Sequence, residues 1–266
     1  MPIFTSHSCR LHYKDEGEGE PALIFLHGWC DSSDGWRESI AEFSKERRCI
    51  APDMRGHGQS SFAGDHAYFP EALSSDVVAL WQSLGLDQPI VVGHSFGGFL
   101  AAEIARRYPD FARAVVIVDQ PLDLAGLHAQ LAQWEDVVRS QEHHLAFREQ
   151  FLRGLITPLM PEQQREDVIE QAMSTPIEIA QALWAILFEA TTDELHERGD
   201  ADMAALGTLP AMSIHGQEPE GYYAELRRAA PGSDIRTLDC GHWVHLERPA
   251  EFNTALREFI ARGENG

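Results

Sequence analysis

The sequence has few basic residues, few cysteines and no long apolar run. Lysine and arginine number 21 against 42 aspartates and glutamates, which gives a formal net charge of -21 at pH 7. This charge argues against nucleic acid or an anionic membrane surface as a partner. No apolar stretch is long enough to span a bilayer, and residues 1–21 lack the apolar core of a signal peptide. We therefore expect a cytoplasmic protein.

The cysteines are scattered and lack metal-ligand spacing; they are Cys9, Cys30, Cys49 and Cys240. We expect reduced thiols, no metal and no cofactor. The hydrophobic fraction of 44% and the length of 266 residues suit one large globular domain with an insertion. A small molecule is the expected partner, and the sequence leaves the oligomeric state open.

One strand–turn–helix pattern organises the chain. The apolar run Ile90–Val92 leads into Gly93-His94-Ser95-Phe96-Gly97, and a helical pattern follows from residue 98 to 108. Glycine is needed on both sides of the serine because a side chain at either position would meet the neighbouring strand or helix. The start of the helix would then direct backbone N–H groups at a developing negative charge. The pattern predicts an exposed serine hydroxyl at the top of a sheet.

Strands and helices alternate on both sides of this turn. Short apolar runs predict strands near residues 23–26, 49–51, 90–92, 114–118, 209–216 and 234–238, after an edge strand at 11–17. Helical spacing occupies most of the intervals, so crossover connections and a mostly parallel sheet flanked by helices are expected. Residues 123–205 show only helical patterns, including a stripe formed by Leu127, Leu131, Trp134 and Val138. We predict an α/β core (1–121 and 206–266) with an inserted helical cap (122–205).

Four motifs give the chain a clear resemblance to the α/β-hydrolase superfamily. They occur in that family's order: His27-Gly28-Trp29, the stretch 53–60, Gly93–Gly97 and Gly241-His242-Trp243. The resemblance implies that Ser95 is the nucleophile and His242 its base. It also implies an oxyanion hole made by the backbone N–H groups of Trp29 and Phe96.

The acid of the expected triad is the open point. The family commonly places it after the strand that ends near Gly216, but here Pro219 occupies that position. The family's other known position for the acid is the end of the preceding strand, which Asp119 occupies, and Asp119 is favoured because an unpaired carboxylate there would be costly. Glu218 or Glu220 is the alternative, and Asp239 a weaker one. We expect an Asp119–His242 hydrogen bond of about 2.6–3.2 Å.

Aromatic residues surround the expected site and favour an apolar or aromatic substrate group. The candidates for substrate binding are Trp29, Phe96, Trp134, Trp184, Phe188 and Trp243. The predicted reaction is hydrolysis of a carboxylic ester, thioester or lactone through an acyl-enzyme on Ser95. Epoxide hydrolases and haloalkane dehalogenases need a carboxylate nucleophile, which Ser95 does not provide.

A second activity is also compatible with the motifs. Gly28-Trp29-Cys30 and the loop 217–223 resemble the cofactor-free ring-cleaving dioxygenases of 3-hydroxy-4-quinolones, which share this fold. In that group the histidine and a strand-end aspartate act as a base pair, here His242 and Asp119, while the serine positions the substrate. Asp31 departs from the pattern, because a histidine is expected at that position.

Overall fold

An eight-stranded sheet forms the centre of the computed structural model, which describes residues 2–6, 8–219 and 221–264. The strands are β1 (Ile3–Thr5), β2 (Arg10–Glu16), β3 (Leu23–Leu26), β4 (Cys49–Pro52), β5 (Ile90–His94), β6 (Ala114–Val118), β7 (Ala211–His215) and β8 (Asp234–Thr237). Their spatial order is β1-β2-β4-β3-β5-β6-β7-β8, and all pairs from β4 to β8 are parallel. The predicted α/β class with a mostly parallel sheet is confirmed.

The first strand corrects one expectation. The strand near residues 11–17 was predicted at the edge of the sheet, but β2 pairs with β4 on one side and with β1 on the other. The edge strand is β1, which has only three residues. Such a short segment cannot show the two-residue alternation by which a strand is recognised in a sequence.

Helices cover both faces of the sheet, and for this reason β3, β5, β6 and β7 are buried along their whole length. The helices outside the insertion are α1 (Arg37–Phe43), α2 (Pro70–Ser83), α3 (Phe96–Arg107), α10 (Tyr222–Ala229), α11 (Val244–Glu247) and α12 (Pro249–Glu264). Successive residues of β5 point to opposite faces of the sheet. Val91 packs with α2 and α3 on one face, whereas Ile90 and Val92 pack with α1 and α12 on the other. Two apolar layers therefore hold the sheet between them.

Residues 122–205, the helical insertion, contain six α-helices and no strand. They are α4 (Leu124–Leu131), α5 (Glu135–Arg139), α6 (His144–Leu155), α7 (Glu162–Ser174), α8 (Ile177–Glu189) and α9 (Thr192–Ala205). Ion pairs tie α9 to α3, where Arg106 contacts Asp202 at 2.6 Å. The absence of strands agrees with the sequence, while the division into core and cap stays a prediction. No helix in the described part of the chain is both long and apolar enough to cross a membrane.

The strand register brings the functional loops together. Leu26 pairs with Gly93, His94 with Val118, and Val118 with Ile214. The carboxyl ends of β3, β5, β6 and β7 therefore lie side by side, and the residues that follow them share one edge of the sheet.

Candidate active site

Ser95 sits at a strained turn between β5 and α3. Its backbone has φ 52° and ψ -124°, a conformation that non-glycine residues rarely adopt. A Cβ at Gly93 would lie 2.0 Å from the Gly97 carbonyl oxygen, and one at Gly97 would lie 2.3 Å from that of Leu26. Both glycines are therefore required by close backbone approach, for the reason that the sequence indicated.

His242 and Asp119 meet beside this turn. Nδ1 of His242 lies 2.6 Å from Oδ2 of Asp119, which confirms the predicted contact. The second carboxylate oxygen, Oδ1, accepts a hydrogen bond of 2.8 Å from the Gly216 N–H. Burial opposes ionisation of Asp119, but the hydrogen bond and charge of His242 outweigh it and lower the pKa of the carboxyl below its ordinary value. The carboxylate thus stays charged and holds the imidazole through Nδ1, and within the described residues Nε2 of His242 forms no hydrogen bond.

Within the described residues, neither Glu218 nor Asp239 takes this place. Glu218 precedes Pro219 on the loop after β7 and forms no hydrogen bond or ion pair within the described residues, whereas Glu220 lies outside them. Asp239 has a left-handed backbone, and its carbonyl oxygen accepts a hydrogen bond of 3.4 Å from Arg248. Asp119 directly follows β6, whose neighbour in the sheet is β7. From this position it reaches His242 without the rearrangement of any loop.

The loop that carries His242 is anchored from three sides. Nε2 of His94 donates a hydrogen bond of 3.0 Å to the His242 carbonyl oxygen, and the His242 N–H donates to Leu155 at 3.1 Å. The Gly241 N–H donates to the Glu247 carboxylate at 2.8 Å. Burial lowers the pKa of His94 well below its ordinary value, so its ring is neutral and acts as a support under the turn.

The loop after β3 passes close to the serine. A Cβ at Gly28 would lie 3.2 Å from the Ser95 Cβ. The loop is held by His27, whose Nδ1 donates to the Gly28 carbonyl at 2.9 Å and whose Nε2 accepts from the Met54 N–H at 3.0 Å. Phe96 is the first residue of α3, where N–H groups lack partners within the helix. The predicted oxyanion donors, on Trp29 and Phe96, therefore lie on the two segments that flank Ser95.

A cavity of about 530 Å³ contains Ser95, Asp119 and His242 in its wall. Four of the predicted substrate-binding residues also line it: Trp29, Phe96, Trp184 and Trp243. Leucines from the helical insertion supply much of the rest, namely Leu124, Leu127, Leu152, Leu155, Leu183 and Leu187. The wall is therefore largely apolar and is built by both the sheet edge and the insertion. Within the described residues the Ser95 hydroxyl makes no hydrogen bond.

Two predicted binding residues lie elsewhere. Trp134 is 41% exposed and packs on Phe147, with ring centres 5.5 Å apart. The predicted stripe assumed one helix, but a 3-10 turn over Ala132–Trp134 separates α4 from α5 and rotates Trp134 outward. Phe188 packs against Trp184 at 5.5 Å and is not among the described residues that line the cavity. Neither side chain is among the described residues that line the cavity, and the expectation that Trp134 and Phe188 contact substrate stays a prediction.

Asp31 is a cavity residue to which the sequence argument gave no role in hydrolysis. It follows Trp29 and Cys30, and burial raises the pKa of its carboxyl to about 7. The sequence signal for a role of Asp31 is its position two residues after Trp29, the residue that carries a predicted oxyanion donor. A carboxylate on the wall of the cavity that contains Ser95 is a candidate for a functional role.

The comparisons with known proteins agree with this geometry. The model of the alpha/beta hydrolase fold family matches residues 21–249. The sn-1-specific diacylglycerol lipase ABHD11 of Mus musculus is 28% identical over 260 residues, which covers 91% of this chain and 81% of the relative. Bifunctional epoxide hydrolase 2 of Sus scrofa is 37% identical over 97% of this chain but only 54% of its own length.

Solved structures show the same fold. A hydrolase from Pseudomonas aeruginosa PA01 superposes with a TM-score of 0.83 at 22% identity, covering 97% of each chain. The family model spans most of the sequence and includes all four motifs on which the resemblance was based. This protein belongs to the α/β-hydrolase fold family.

Proposed function

We propose that the protein is a serine hydrolase that cleaves a carboxylic ester, thioester or lactone through an acyl-enzyme on Ser95. The observation that carries the proposal is the His242–Asp119 pair, which faces the same cavity as a serine on a strained strand-to-helix turn. A serine hydroxyl needs such a base because it is a weak nucleophile at its ordinary pKa.

In the first half of the proposed reaction, Ser95 Oγ attacks the carbonyl carbon and its proton passes to Nε2 of His242. The carbonyl oxygen becomes negative and accepts hydrogen bonds from the Trp29 and Phe96 N–H groups. Asp119 stabilises the imidazolium, and its depressed pKa keeps it ionised during this step. When the carbonyl re-forms, the bond to the leaving group breaks and His242 returns the proton to it.

In the second half, water takes the place of the leaving group. His242 removes a proton from the water as its oxygen attacks the acyl carbon, and the same oxyanion donors act again. Collapse of this intermediate breaks the bond to Ser95 Oγ and releases the carboxylic acid. The proton returns from His242 to the serine, so the enzyme is restored without a cofactor.

The cavity supports an apolar group on the substrate. Its wall combines Trp184 and Phe96 with leucines from three helices of the insertion. Burial of apolar substrate area there contributes about 25 cal/mol per Å². The lipase among the relatives is named for ester cleavage, and Ser95 in place of a carboxylate nucleophile separates this chain from epoxide hydrolysis.

A substrate panel and an active-site label test this proposal. p-Nitrophenyl esters should be cleaved, and Ser95→Ala should reduce turnover by roughly four orders of magnitude. A fluorophosphonate should label the wild type and the control Ser174→Ala, whose hydroxyl lies on the exposed end of α7, but not Ser95→Ala. Turnover of a 3-hydroxy-4-quinolone under oxygen that survives Ser95→Ala, with no ester cleavage, would replace the hydrolase with the dioxygenase alternative.

A further inference from the structure

The charges on the cavity wall have one sign. Asp31 and Asp119 line the cavity, and no lysine or arginine is among the described residues that do so. Asp119 is already bonded to His242. A substrate bound beside Ser95 therefore meets apolar side chains and one further carboxylate, that of Asp31, with no cation to receive a negative group.

The partners of Asp31 do not explain why a carboxylate is present. Its Oδ1 accepts one hydrogen bond of 2.7 Å, from the N–H of the adjacent Ser32, and it forms no ion pair within the described residues. Asp53, by contrast, accepts hydrogen bonds from the Ser33 N–H, the Gln59 N–H and Nδ1 of His12. Asp53 holds loops together, whereas a carboxylate with one neighbouring partner costs stability.

The position of Asp31 places its charge near the reacting group. It is separated by one residue from Trp29, whose N–H is a predicted oxyanion donor, and the Asp31 N–H bonds back to the Gly28 carbonyl at 3.3 Å. The loop is thereby folded so that Gly28, Trp29 and Asp31 all line the cavity. A charge held there acts on substrate groups that lie in the cavity.

We propose that Asp31 is a specificity-determining residue that selects uncharged substrates by repelling those with a carboxylate in the group bound beside it. This inference rests on the proposed hydrolase function and adds the substrate class: uncharged esters with an apolar chain. One unit charge at roughly 10 Å, in a protein environment of effective dielectric about 20, discriminates by about tenfold.

The test compares two esters that differ in charge. p-Nitrophenyl methyl adipate is neutral, and mono-p-nitrophenyl adipate carries a terminal carboxylate on the same chain. The wild type should prefer the neutral ester, and Asp31→Asn, which keeps the side-chain shape, should reduce the ratio of kcat/KM values by about tenfold, mainly through faster cleavage of the anion. Asp34→Asn is the matched control, because Asp34 lies on the same loop but is exposed and outside the cavity.

The pH dependence of the same ratio gives a second measurement on the wild type. Burial raises the pKa of Asp31 to about 7. The charged groups that also act on its carboxyl are Asp53, Asp34 and His242. The two esters are cleaved by the same catalytic residues, so pH effects on those residues cancel in the ratio, while the adipate carboxyl stays ionised above about pH 5.5. The preference for the neutral ester should therefore increase from about pH 5.5 to about pH 8 as Asp31 ionises.

The outcomes separate this inference from the proposed function. A ratio that neither Asp31→Asn nor pH changes, with the neutral ester still cleaved, overturns the role of Asp31 and leaves the hydrolase in place. Equal effects of Asp31→Asn and Asp34→Asn would also overturn it, because they would show a general charge effect. If the wild type cleaves neither ester, the proposed function fails and this inference fails with it.

Discussion

The indole N–H of Trp29 donates a hydrogen bond of 2.9 Å to the carbonyl oxygen of Ala180 in α8. The same ring packs edge-on against Trp184, with ring centres 5.2 Å apart. The residue that offers a predicted oxyanion donor with its backbone is thus fixed through its side chain to the helical insertion. The position of the insertion and the geometry of the loop after β3 are therefore coupled through Trp29.

Trp29→Phe should weaken catalysis, because it keeps an aromatic ring but removes the hydrogen bond that holds the loop to α8. We expect kcat to fall by about tenfold, with a loss of about 1 kcal/mol in the free energy of unfolding. Ester kinetics and urea unfolding check the two effects. Trp81→Phe is the control, since the Trp81 indole donates a similar bond of 3.0 Å to Leu86, away from the cavity. Equal effects of the two variants on kcat would contradict the coupling.

Asp119→Asn should abolish most of the activity while the fold survives. Asparagine tolerates the left-handed backbone that Asp119 adopts, at φ 50°. It cannot stabilise the imidazolium, so kcat should fall by about 10⁴, whereas Glu218→Gln should cost less than about tenfold. Steady-state kinetics with one activated ester distinguishes them, and the opposite ranking would assign the acid to the loop after β7.

Trp184→Leu should change which acyl chains are preferred, because Trp184 lines the cavity and Trp134 does not. The shorter side chain leaves room in the wall, so the kcat/KM ratio of octanoate to acetate p-nitrophenyl esters should shift by about tenfold. Trp134→Leu, at an exposed position, is the control and should leave that ratio unchanged. A larger shift in Trp134→Leu than in Trp184→Leu would show that the insertion meets the substrate differently.

The parts of the site that follow from local backbone constraints were predictable from the sequence. The turn at Ser95 needs glycine at fixed offsets, and each buried strand is a short apolar run, so position in the chain implies position at the sheet edge. Asp119 was found because it occupies a position where the family is known to place its acid, and because a carboxylate at a buried strand end needs a partner. The turn and the strands follow from spacing within a few residues, whereas Asp119 and His242 were assigned through the resemblance.

Side-chain direction in the insertion was not predictable in the same way. Trp134 is exposed, whereas Val138, four residues further along the same stripe, is buried, and the 3-10 turn Ala132–Trp134 lies between α4 and α5. Sequence periodicity does not resolve so short a break in a helix. Asp31 was identified only as a departure from one family, because its effect depends on the enclosed cavity around it.

The last prediction concerns the stability of the fold rather than its activity. Burial raises the pKa of Asp31 from 3.8 to about 7 in the folded protein. Between these values the folded state holds a proton that the unfolded chain has lost, so the free energy of unfolding decreases as pH rises from about 4 to about 7 and then levels off. Below about pH 4 both states are protonated, and Asp31 has no such effect.

Asp31→Asn should therefore be more stable than the wild type, with an advantage that grows from about pH 4 to about pH 7 and reaches on the order of 4 kcal/mol. Urea unfolding of both proteins at about pH 4, 5.5 and 8 measures this difference, in which all other titrating groups cancel. Asp34→Asn, at an exposed position, should show no such trend. A variant less stable than the wild type at about pH 8 would mean that the carboxylate stabilises its loop, and the case for a functional charge at Asp31 would lose its structural basis.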